Sequence, residues 1–159
     1  MRELIGKHDI WTLPNSVSGV SKHAICITTN GIVKQGGLAV MGAGIAKQAA
    51  NRFKQLPRKL GSYLKQYGNR TFNMGVCKDG NRCYNLITLP TKNDWRGKSD
   101  IDLIIKSCKE LVEVCNKFGI TECYLTPPGC GCGGLNYQQD VRPVISEILD
   151  DRFIVVLSN

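Results

Sequence analysis

The chain has 159 residues, 42% of them hydrophobic, and carries 21 Lys and Arg against 13 Asp and Glu, a net charge of +8. That supplies apolar side chains for one core, so a single domain over 1–159 is expected. No run of about 18 apolar residues occurs and residues 1–11 lack a secretory apolar stretch, so neither a membrane span nor secretion is expected, and a cytoplasmic protein is. The eight cysteines sit mostly within apolar patterns, where a reduced thiol packs as a small hydrophobe. Cys130 and Cys132 are the tightest pair, yet neither a second C-x-x-C nor a nearby histidine completes a zinc set, so no metal is expected.

In chain order, residues 1–12 predict a first strand ending near Ile10 and Trp11, followed by a surface loop over 13–22. Ile25, Cys26, Ile27 and Thr28 form a strand, broken by Asn30-Gly31. A glycine-rich loop over 36–44 then leads into a helix with Ile45, Ala46, Ala49, Ala50 and Phe53 at helical spacing, which Pro57 is expected to end. Such a junction presents unpaired backbone N–H groups, and Gly42 and Gly44 let an anion approach them. Residues 58–67 predict a second helix, and 70–77 and 82–89 two strands joined by a turn at 78–81. Ser99 is expected to cap a long helix bearing Ile101, Ile104, Ile105, Cys108, Leu111, Val112, Cys115 and Phe118, stopped by Gly119. A buried strand at 123–126, a second glycine-rich loop at 129–134, a helix carrying Val141, Val144, Ile145, Ile148 and Leu149, and a strand at 153–157 complete the chain. Strands alternating with helices predict an α/β sandwich with a parallel or mixed sheet, with ligands at the carboxyl ends of its strands.

The charge is unevenly placed. Between Ile10 and Lys78 there are ten Lys and Arg and no acid, whereas residues 79–159 hold eleven acids and nine bases. A basic half containing a glycine-rich loop attracts phosphate, pyrophosphate or nucleic acid. Aromatic residues are not interleaved with the bases as in a single-strand stacking platform. Facing glycine loops suit a diphosphate, and the turn at 89–95 delivers Lys92 to the same rim. Gly97-Lys98-Ser99 is not a P-loop, because Lys92 stands where its first glycine is required.

These residues converge on a family. ITTNG with VMGAGIAKQ, LPTKNDWRGKS, LTPPGCGCGGLNY and the opening HDI together resemble the macro domains, ADP-ribose-binding α/β/α modules, over nearly the whole length. The combination of the second and third motifs is similar to antitoxin macro domains that remove ADP-ribose from DNA, and MGAGIA is shared with human enzymes that cleave terminal ADP-ribose from protein. The resemblance implies a three-layer α/β/α sandwich with a mixed central sheet. It implies that Asp9, with Ile10 beside it, receives the adenine, that Asn30 holds the distal ribose, and that Gly42, Ala43, Gly44 and Ile45 wrap the diphosphate. Gly129, Cys130, Gly131, Cys132, Gly133 and Gly134 would close over it, with Tyr137 beyond, where DNA-directed relatives often have Trp. Lys92 falls at their catalytic lysine and would attack C1 of the distal ribose or stabilise its opened form.

Two departures stand out. His8 replaces the glycine of the opening motif, and Gly133 stands where some protein-directed relatives have an acid, which disfavours an ester hydrolase relying on that carboxylate. The implied function is ADP-ribose binding with hydrolysis of an ADP-ribosyl linkage, on nucleic acid first and protein second. The alternatives are an ADP-ribose 1''-phosphate phosphatase and a non-catalytic reader of ADP-ribose. The expected partner is ADP-ribose or an ADP-ribosylated substrate, DNA included, with no cofactor and a monomeric chain; the antitoxin-like motifs suggest a phage or toxin–antitoxin setting.

Overall fold

The computed structural model describes residues 1–15 and 21–158. They contain the strands β1 (Arg2–Ile5), β2 (His23–Thr29), β3 (Asn73–Asp79), β4 (Arg82–Pro90), β5 (Glu122–Leu125) and β6 (Phe153–Leu157), and the helices α1 (Gly44–Arg52), α2 (Leu56–Tyr67), α3 (Ile101–Phe118) and α4 (Arg142–Ile145). The strands form one mixed sheet in the order β1-β6-β5-β2-β4-β3. Every neighbouring pair from β1 to β4 is parallel, and only β3 runs antiparallel, against β4. Five strands therefore end at the same edge.

Successive side chains of a strand face opposite ways, and the apolar runs here feed two cores at once. On one face Ile25, Ile27, Tyr84, Leu86 and Ile154 pack with Ile45 and Ala49 of α1 and Leu60 and Leu64 of α2. On the other, Ala24, Cys26, Ile87, Cys123 and Val155 pack with Ile104, Cys108 and Leu111 of α3 and with Ile145. The result is the expected three-layer α/β/α sandwich. Gly61 is required by this packing, since a Cβ there would run into the carbonyl of Gly37, where α2 backs onto the loop after β2. All eight cysteines are free thiols. Among the described residues no helix is long and apolar enough to cross a membrane.

Several boundaries differ from the sequence expectation. The first strand stops at Ile5, because Gly6 turns the chain with φ +126° and Asp9 caps a single 3-10 turn over Ile10–Thr12 by accepting from the Trp11 N–H at 3.1 Å. Pro57 does not end α1, which stops at Arg52; it sits in the first turn of α2, where its missing N–H costs nothing. Asp100, not Ser99, caps α3, its carboxylate accepting from the N–H groups of Asp102 and Leu103. Gly119 ends that helix in the left-handed region as expected, but Phe118 is half exposed. The expected last helix is a π turn over Tyr137–Val141 followed by the short α4, since Pro143 has no N–H for a regular ladder. The surface loop expected over 13–22 falls in part on 16–20, outside the described residues.

Candidate functional site

The loops leaving the carboxyl ends of β1, β2, β4 and β5, with the end of β6, enclose a cleft of about 1090 Å³. Three segments build most of its wall.

The first follows β2. Asn30 folds its own loop back, its Nδ2 donating to the Val40 carbonyl and its Oδ1 accepting from the Ile32 N–H, both at 3.0 Å. Between these points a tight hairpin pairs Val33 with Ala39, turning at Gly37 with φ +90°. The chain then runs extended through Ala43 into α1, whose N-terminus has no side-chain cap and no acid in its first turn. The first N–H groups of a helix lack internal acceptors, so this end is left for an anion. A Cβ on Gly42 would meet nothing within 4 Å; the space beside it belongs to the cleft.

The second segment follows β5. Here two of the glycines are packed tight: a Cβ on Gly133 would collide with Ser99 Oγ and the Gly129 carbonyl, and one on Gly129 would lie 2.9 Å from Ile104 Cδ1, whereas one on Gly131 would meet nothing within 4 Å. An acid cannot occupy position 133 in this loop. The Ser99 N–H donates to the Gly133 carbonyl at 3.0 Å and the Leu135 N–H to that of Gly129 at 3.0 Å. Cys132 is exposed on the cleft, while burial pushes the Cys130 thiol up to about 11.

The third segment follows β4. The Thr91 N–H donates to the Thr29 carbonyl and the Gly31 N–H to that of Asn93, each at 3.0 Å, which locks it to the β2 loop. Asn69 reinforces the joint, its Nδ2 donating to the Lys92 carbonyl at 3.0 Å. Lys92 is half buried and reaches across to the second segment, its Nζ donating to the carbonyls of Cys132 at 3.2 Å and Trp95 at 3.4 Å.

Of the residues singled out from sequence, Asp9, Ile10, Asn30, Gly42, Ala43, Gly44, Ile45, Lys92, Gly129, Cys130, Gly131, Cys132 and Gly133 all line this cleft. Gly134 and Tyr137 do not. Gly134 lies past the rim against the Lys98 side chain, and Tyr137 turns away so that its hydroxyl donates to Glu3 Oε2 at 2.8 Å. Burial raises that phenol, and Glu3 holds its proton in place. Sequence reasoning missed Thr28, Thr29, Gln48, Trp95, Ser99 and Thr126, which also line the cleft. Trp95 and Ser99 lie within the same short segment as Lys92 and could have been read with it. Among the described residues no three His, Cys, Asp or Glu side chains gather as a metal site.

No protein-family model matches the sequence, and no curated protein is significantly similar to it. Solved structures are similar in fold. The macrodomain of Mycobacterium tuberculosis DarG superposes with a TM-score of 0.70 at 23% identity, over 99% of this chain and 98% of that one. The macrodomain of Thermus aquaticus DarG gives 0.70 at 20% identity, again over 99% and 98%. Thermosipho africanus DarTG, solved in complex with ADP-ribose, matches 86% of this chain but only 38% of its own length, with a TM-score of 0.68 at 21% identity. The architecture described above is thus that of the macrodomains.

Proposed function

We propose, with the macrodomain fold as premise, that the cleft binds ADP-ribose and that the chain hydrolyses an ADP-ribosyl linkage, preferably to nucleic acid. The observation that carries this reading is the pairing, across one cleft, of the uncapped start of α1 with a glycine loop bridged by Lys92. A diphosphate fits between two such walls, because both present backbone and neither presents an acid. Asp9 lines the same cleft, and in this reading the adenine amino group donates to its carboxylate. Asn30 then falls to the distal ribose. One lone pair of its Oδ1 and one hydrogen of its Nδ2 are already used by the loop, which holds the amide in one orientation and leaves the others for a sugar hydroxyl.

In this reading Lys92 serves C1 of that ribose. Its ammonium, held by two carbonyls, stays in place and donates to the ring oxygen of the opened sugar, or it gives a proton to water and the free amine attacks C1. In the second case the C1–base bond breaks, the base leaves with that bond's electron pair and takes up a proton, and water then displaces the amine from C1 to release ADP-ribose and restore the lysine. The test is incubation of thymidine-ADP-ribosylated single-stranded DNA with the wild type and Lys92→Ala, scoring released ADP-ribose by mass. Release by the wild type and a loss of at least about a hundredfold in the variant are expected. If the wild type releases nothing while calorimetry still shows ADP-ribose binding, the glycohydrolase gives way to a reader. Release of inorganic phosphate from ADP-ribose 1''-phosphate, retained in Lys92→Ala, would instead identify the phosphatase.

A further inference from the structure

The described residues leave Ile5, Tyr67, Val76, Trp95 and Phe118 as large exposed apolar side chains, and of these Trp95 lines the cleft. It is 50% exposed, three residues beyond Lys92, and its carbonyl accepts from the Lys92 amine. An indole left half in water beside Lys92 is a large flat apolar surface that a flat ligand can cover.

The side chain is also braced. The Arg96 guanidinium lies 5.7 Å from the Trp95 ring centroid. Asp94 grips that guanidinium twice, at 3.0 Å from Nε and 2.6 Å from Nη2, and accepts from the Arg96 N–H at 2.9 Å. Asp94, Trp95 and Arg96 thus form one preset unit instead of three free surface side chains. Next to it the exposed Lys98 side chain runs along Gly134.

In the reading above, ADP-ribose fills the cleft up to C1 of its distal ribose, so what meets Trp95 is the group being cleaved off. A phosphate or a carboxyl side chain offers no face to an indole. A nucleobase does, and stacking on an aromatic ring is how single-stranded bases are held without sequence-specific hydrogen bonds. The neighbouring strand brings phosphates toward Lys98 in a protein whose net charge is +8. We infer that Trp95, braced by Arg96, is a specificity-determining residue that stacks the base carrying the ADP-ribosyl group, with Lys98 beside it for the adjoining phosphate. The inference rests on the proposed ADP-ribose cleft.

The experiment is equilibrium binding in a Lys92→Met background, which keeps the aliphatic stem and removes the amine. Free ADP-ribose, unmodified single-stranded DNA and thymidine-ADP-ribosylated DNA of the same sequence are compared. The modified strand is expected to bind at least about tenfold more tightly than ADP-ribose, within what stacking one base supplies. Trp95→Ala should erase that gain, weakening the modified strand far more than free ADP-ribose, Trp95→Phe should keep most of it, and Lys98→Ala should flatten its salt dependence. Equal affinities for the modified strand and ADP-ribose would overturn the inference while leaving the cleft assignment standing. Equal weakening of both ligands by Trp95→Ala would make Trp95 a support of the ADP-ribose site, again against it. If sedimentation shows that Trp95→Ala converts a dimer to a monomer, the indole is a self-association surface and the inference falls. Absence of any ADP-ribose binding would sink the cleft assignment and this inference together.

Discussion

The two glycine-rich walls of the cleft reach a fixed shape by opposite means. The β2 loop is held from within by hydrogen bonds of one side chain, Asn30, and its glycines at the helix start stand beside empty space. The β5 loop is held by close packing, with Gly133 and Gly129 pressed on Ser99, on each other and on Ile104. A glycine count treats the two loops as equivalent. Physically, Gly42 is small so that something can approach, whereas Gly133 is small because something already has.

The largest expected effect follows from the packed loop. Gly133→Ala forces a methyl into Ser99 Oγ and the Gly129 carbonyl, and neither is the far end of a flexible chain. Overpacking of this kind costs about 1–3 kcal/mol, and the loop must also move from under the Lys92 amine. Chemical denaturation should show the loss of stability, and calorimetry a loss of ADP-ribose affinity with it. Unchanged stability would mean that the β5 loop shifts freely and that the contrast between the walls is unfounded.

Gly42→Ala is the converse and smaller. Its Cβ meets no protein atom, so stability should stay within about 0.5 kcal/mol. ADP-ribose affinity should nonetheless fall about tenfold, or ~1.4 kcal/mol, if the diphosphate lies against this backbone. Calorimetry on the two alanine variants separates the roles: one loses fold and ligand together, the other ligand alone. Wild-type affinity in Gly42→Ala would take the diphosphate away from the start of α1.

How much of this could be read from the chain alone depends on how far apart the cooperating residues lie. The strand at Ile25–Thr28, the start of α1 at Gly44 and the stop at Gly119 are local signals, and each stands within a residue or two of its predicted place. The positions lining the cleft were legible because three motifs each follow a parallel strand, and parallel strands share one exit edge. Contacts set by long separation were not. Asn69 reads as a residue after a helix stop, and nothing local tells that it holds the Lys92 carbonyl 23 positions on. Ser99 and Asp100 are both good caps; Asp100 takes the role, while the Ser99 N–H goes to the Gly133 carbonyl, far along the chain in the loop after β5. Tyr137 reads as a ligand residue from its place after the glycine loop, but the partner that turns its hydroxyl away is Glu3, at the other end of the chain.

That same Glu3 sharpens the comparison of the walls, because among the described residues only the β5 loop has an ionisable anchor of this kind at its exit. Its carboxylate accepts from Tyr137 and from Arg142, at 2.8 and 2.9 Å, tying β1 to the turn that follows the loop. The hydrogen bond from Arg142 is the main reason its pKa is lowered from the usual carboxylate value, with Tyr137 adding to it against the opposing effect of burial. A group whose folded-state pKa is depressed stabilises the fold above its unfolded value, and that contribution disappears as pH falls through the folded one. At neutral pH, Glu3→Gln should therefore cost under about 1 kcal/mol, in keeping with a partly exposed ion pair. The difference between variant and wild type should close below the ordinary carboxylate range near 4.5. Hydrogen exchange localises the effect: amides of Tyr137–Val141 should lose protection in the variant at pH 7, while those of the hairpin between Val33 and Ala39 keep theirs. If both walls loosen equally, they form one mechanical unit, and the distinction between a loop held by its side chain and a loop held by packing does not extend to their motions.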